Sequence, residues 1–60
     1  MSRGIYKGIV VDVYEDSGLR YHIEPVNVED MKKCKGTRFV EYRGHWYTTV
    51  PKEDVEIIGY

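Results

Sequence analysis

From Ile9 onward the chain alternates apolar and polar positions with a period of two. In "IVVDVY" Ile9, Val11 and Val13 share one parity and Val10, Asp12 and Tyr14 the other; after "EDSG", Leu19, Tyr21 and Ile23 alternate with Arg20, His22 and Glu24. That period predicts two strands covered on one side, and the turn-rich residues between them predict a hairpin in which Gly18 supplies a positive φ. Pro25 cannot donate to a ladder, so the second strand should stop near it. The pattern then changes. In "VNVEDMKKCKG" Asn27 resembles a helix N-cap, Glu29 and Asp30 suit a helix start, and Lys32, Lys33 and Lys35 suit its end before Gly36. One or two helical turns and a basic loop both fit eleven residues, because so short a helix is marginal alone. Strand character returns in "TRFVEYR" and "HWYTTV", two arms flanking Gly44, and "PKED" predicts a turn or a single 3₁₀ turn before a short last strand in "VEIIGY".

Five strands and one excursion in 60 residues make a single domain, residues 1–60, with no internal repeat or linker. Strands this short do not build a sandwich of ordinary size. A small, five-stranded, partly open barrel, all-β in class, buries one face of each strand and protects most edges. Its expected core is Leu19, Tyr21, Ile23, Val40, Val50, Val55 and Ile57 with part of the Ile9–Val13 strand. The uncovered edge is expected in "VEIIGY" or in the N-terminal "GIYKGIVV".

The segment "TVPKEDVEII" resembles the end of an SH3-like barrel, where a strand runs into a proline, a single 3₁₀ turn and a short apolar closing strand. "VVDVYED" is similar to the Tyr-bearing first strand of SH3 domains. The resemblance implies barrel topology. Asp54 stands where peptide-binding members carry a Tyr, and Thr49 and Val50 where a glycine precedes the proline, so proline-rich peptide binding is not among its implications.

Composition narrows the function classes. Cys34 is the one cysteine, which excludes an internal disulfide; with no apolar signal segment it suggests a cytoplasmic protein, and no apolar run approaches the ~20 residues of a membrane span. His22, Cys34 and His45 lack the close pairing that zinc ligands show, so neither a metal nor a cofactor is expected. The acid pairs Glu15-Asp16, Glu29-Asp30 and Glu53-Asp54 fall in turns, where nothing separates their pKa values for acid–base work. No glycine-rich phosphate loop is present. A non-enzymatic role follows as the expectation.

What remains is aromatic and basic. Six Tyr, Trp46 and Phe39 exceed what so small a core can absorb, which leaves some of Tyr6, Tyr14, Tyr42, Trp46, Tyr47 and Tyr60 at least half exposed. Trp46 and Tyr47 are adjacent in a strand and point to opposite faces, one toward the core and the other to the surface. Net charge is −1, yet residues 32–47 carry five cations against one carboxylate. Arg38, Tyr42, Arg43, His45, Trp46 and Tyr47 are therefore the candidate partner-binding residues of a protein-binding module, a small adaptor or inhibitor of bacterial or phage type. Lys32, Lys33, Lys35 and Arg38 would instead contact phosphates if the partner were RNA or single-stranded DNA, a reading the negative net charge disfavours. A structural subunit of an assembly is a third reading, and a homodimer and a monomer both stay open.

Overall fold

The computed structural model describes residues 2–59; Met1 and Tyr60, the latter among the expected exposed aromatics, lie outside them. Six strands run in chain order: β1 (Ser2–Tyr6), β2 (Ile9–Glu15), β3 (Arg20–Pro25), β4 (Val40–Tyr42), β5 (His45–Pro51) and β6 (Val55–Gly59). They form one antiparallel sheet in the order β4-β5-β3-β2-β1-β6, which is not closed. A six-stranded sheet in a molecule of 24 × 22 × 22 Å must curl, and it curls around one core. A 3₁₀ helix, Val28–Lys33, covers one end and packs on β2 and β3; a second, Lys52–Asp54, links β5 to β6 where the proline and charged residues predict it. The all-β class and the partly open sheet agree with the sequence. The strand count is six, not five.

The additional strand is β1. It escapes the period-two pattern because one of its inward positions is Gly4, which has no side chain to mark the face. That absence is a packing requirement. A Cβ on Gly4 would lie 2.7 Å from the Glu56 carbonyl oxygen and 3.0 Å from Val55 Cγ1, so only glycine lets β1 and β6 approach. The register slips beside it, with Arg3 opposite Gly59 but Gly4 opposite Ile57. β1 consequently lies inside the sheet, and the free edges are β4 and β6, so the N-terminal segment is no edge.

Turn chemistry sets two of the hairpins. Lys7-Gly8 (φ 49° and 85°) and Arg43-Gly44 (φ 51° and 84°) are two-residue connections with positive φ at both positions, the type I′ geometry that matches strand twist. Glu41 helps the second, accepting a hydrogen bond from the Gly44 backbone N–H at 2.6 Å. Gly18 does not have the expected positive φ. The β2–β3 connection is wider, with the Asp16 and Ser17 N–H groups both turned toward the Arg20 carbonyl.

Tyr6, Ile9, Val11, Val13, Ile23, Cys34, Val50 and Val55 form the core, with Tyr21 and Phe39 packed against it. Three expected members are outside. Leu19 is 82% exposed because β3 begins only at Arg20, leaving Leu19 in the bend. Val40 pairs with Tyr47 and so faces away from the core; Ile57 sits on the edge strand opposite side-chain-free Gly4. Two others take their place. Tyr6 is buried with its hydroxyl 2.8 Å from Thr37 Oγ1, and Cys34 is fed into the core by the first 3₁₀ helix, whose Asn27 cap accepts from the Glu29 N–H.

Candidate recognition face

Ladder register decides which side chains share the outward side of the sheet. Val13 opposes Ile23 and Tyr21 opposes Val50, which fixes the inward parity; Tyr14 opposes His22 and His22 opposes Thr49 on the other side. Beyond β5 the hairpin continues the outward side, with Val40 opposite Tyr47 and Tyr42 opposite His45. The outward face of β2, β3, β5 and β4 thus carries a row of rings. Tyr14 meets His22 edge-on at 5.6 Å between centroids, and His22 stacks on Tyr47 at 4.8 Å with the planes 16° apart. Tyr42, half of it exposed, holds the Arg43 guanidinium over its ring at 5.1 Å.

Glu24 lies among them. Its carboxylate oxygens stand 3.4 Å from His22 Nε2 and 3.3 Å from His45 Nδ1, and its side chain is three-quarters covered. Asp12, on the same side of β2, pairs with Arg3 at 3.2 Å. Burial, and behind it repulsion from Glu24 and Asp12, raises the Tyr14 phenol above its ordinary pKa.

Of the residues that the sequence singles out, Tyr42, His45 and Tyr47 are on this face and Arg43 is at its rim in the turn. Trp46 has the opposite parity, across from Glu41, and is half-buried, as is Tyr47; neither is a core residue, because β5 here runs past the end of the core toward the sheet edge. Arg38 is exposed ahead of β4. Lys32 and Lys33 belong to the first 3₁₀ helix, Lys33 pairing with Asp30 at 3.3 Å, and the Lys35 carbonyl accepts from Lys7 Nζ. Among the described residues no hydrogen bond or ion pair joins these lysines to Tyr42 or Arg43, so the basic run and the aromatic run are not linked. Sequence reasoning missed Tyr14, His22 and Glu24. Their alternation marks them as outward, but nothing local says that β5 will lie beside β3.

A groove of about 440 Å³ lies elsewhere, between the β2–β3 bend and the second 3₁₀ helix, with Leu19 and Pro51 as apolar walls. Its cations are already engaged: Lys52 with Glu15 at 2.9 Å and Arg20 with the Thr49 carbonyl at 3.0 Å. Among the described residues no three His, Cys, Asp or Glu side chains are grouped to hold a metal ion, and no helix is long and apolar enough to cross a membrane. Comparison with family models, curated proteins and solved structures finds no match.

Proposed function

We propose that this chain is a non-enzymatic protein-binding module, an adaptor or inhibitor of a larger protein, whose recognition surface is the outward face of β4-β5-β3-β2. One observation carries this reading. The rings of Tyr14, His22, Tyr47 and Tyr42 lie on the side of the sheet turned away from the core, where the packing of the domain does not call for them. Aromatic side chains held rigidly at a surface contribute large contact area at small entropic cost on association, the property that makes Tyr prominent in interfaces. The stack of His22 on Tyr47 holds both rings in one orientation before a partner arrives.

The test compares proteins captured from the source cells by the wild-type chain and by Tyr42→Ala, Tyr47→Ala and Lys33→Glu. A partner retained by wild type and Lys33→Glu but weakened by ~2 kcal/mol or more in either Tyr variant, with thermal melts unchanged, supports the face. Single-stranded oligonucleotide binding that falls steeply with salt and is lost in Lys33→Glu would move the function to the basic segment instead.

A further inference from the structure

Three carboxylates among the described residues are half-buried, Asp12, Glu24 and Asp30, with side chains 23%, 25% and 24% exposed. Asp12 has Arg3 at 3.2 Å and Asp30 has Lys33 at 3.3 Å. Glu24 has no lysine or arginine. Its neighbours are two imidazoles at 3.4 and 3.3 Å, beyond the 2.7–3.2 Å in which N–H···O hydrogen bonds are strong. A three-quarters covered carboxylate whose partners are two imidazoles at these longer distances keeps acceptor capacity that a charged, short-range donor can use.

The surroundings define which donor. Beside Glu24 lie the stacked His22 and Tyr47 rings, then Tyr42, which already carries a guanidinium, that of Arg43, on its face. Tyr14 is on the same side, its phenol raised above its ordinary pKa by burial first and then by the charges of Glu24 and Asp12. A flat cation that can lie against a ring while directing two parallel N–H groups at a carboxylate fits both features, and an ammonium fits only the charge.

Resting on the protein-binding reading above, we infer that the partner inserts an arginine side chain onto this face, with Glu24 as its acceptor and the His22–Tyr47 stack as its platform. Glu24 is then the residue that selects the partner, while the surrounding rings supply contact area.

The probe is N-acetyl-arginine methylamide, titrated at mildly alkaline pH into the protein followed by NMR, with the citrulline analogue as its uncharged counterpart and the lysine analogue as the non-planar cation. The expected result is saturable shifts at His22, Glu24 and Tyr47, with citrulline weaker by about tenfold or more and lysine in between, since loss of the charge removes a charge-assisted hydrogen bond. Glu24→Gln keeps the shape and should lose arginine by a similar factor while melting no lower than wild type. Equal shifts from arginine and citrulline, shifts mapping to other acids, or unchanged affinity in Glu24→Gln would overturn the inference. A captured partner that depends on Tyr47 but not on Glu24 overturns the arginine and leaves the recognition face standing. Arginine binding at Glu24 alongside a partner indifferent to Tyr42 and Tyr47 overturns the face itself. Any self-association seen by light scattering under the same conditions must be unchanged in Glu24→Gln and Arg43→Gln; a dimer abolished by both variants identifies the occupant as a second copy and overturns the inference of a foreign partner.

Discussion

Gly4 lies where β1 meets β6, and Cys34 lies in the core. At Gly4 the space for a side chain is occupied by the Glu56 backbone, which cannot rotate away as a flexible side chain could. Gly4→Ala should therefore force β1 from β6 and cost about 1–3 kcal/mol, the range of core overpacking, visible as a lower denaturation midpoint. Cys34 is buried in the core, and burial pushes its thiol pKa up, against a smaller lowering from Lys7. Because the folded value is raised, the stability that depends on the neutral thiol is complete below the unfolded value near 9.0 and is lost as pH rises through the folded one. A melting-temperature profile should fall in that alkaline window, and Cys34→Ala should remove this part of the fall at the expense of some core packing. Thiol reagents should label native Cys34 slowly at neutral pH for the same reason.

Strands and turns account for how the face is presented. The β4–β5 hairpin closes through Arg43-Gly44 with both residues left-handed, so its two arms keep the sheet's twist and set Tyr42 and Val40 beside His45 and Tyr47. A methyl group at Gly44 meets nothing within 4 Å, so Gly44→Ala reports backbone strain alone and should cost ~1–2 kcal/mol. Gly18 offers the contrast. It also has open space but no positive φ, and Gly18→Ala should be neutral or stabilising by up to about 1 kcal/mol through a less flexible unfolded chain. Paired chemical-denaturation curves for the two variants would separate these outcomes, and equal losses would show that the β2–β3 bend needs its glycine after all.

Across the whole molecule, an open sheet leaves two edges, and they differ. β4 has three residues, whereas β6 has five and exposes Ile57 and Ile58 with Glu56 as its one charge. A longer, apolar, weakly charged edge is where strand-to-strand self-association forms. Concentration-dependent mass in light scattering should therefore be lowered by Ile58→Lys and untouched by changes on the outward face of β3 and β5. The two surfaces are distinct, one offering backbone hydrogen bonds and the other rings around a carboxylate.

Alternation, prolines and glycine-bearing turns were enough to specify an all-β chain, its hairpins from β2 onward, the 3₁₀ turn after Pro51, the outward parity of His22 and Glu24, and that Trp46 and Tyr47 face opposite ways, though not which of the two faces out. Those features are written in neighbours two to four residues apart, where sterics and side-chain parity act locally. β1 was hidden because Gly4 erases the parity of a short strand, and Leu19 was placed inside because periodicity says nothing about where pairing stops. Tertiary structure alone decided that β5 pairs with β3 across the intervening residues 26–44, so that Tyr47 stacks on His22 and His45 comes to Glu24. Pairing between distant segments is fixed by the closure of the whole core around Val11, Ile23 and Val50, and that closure is a property of the folded chain with no local sequence signature.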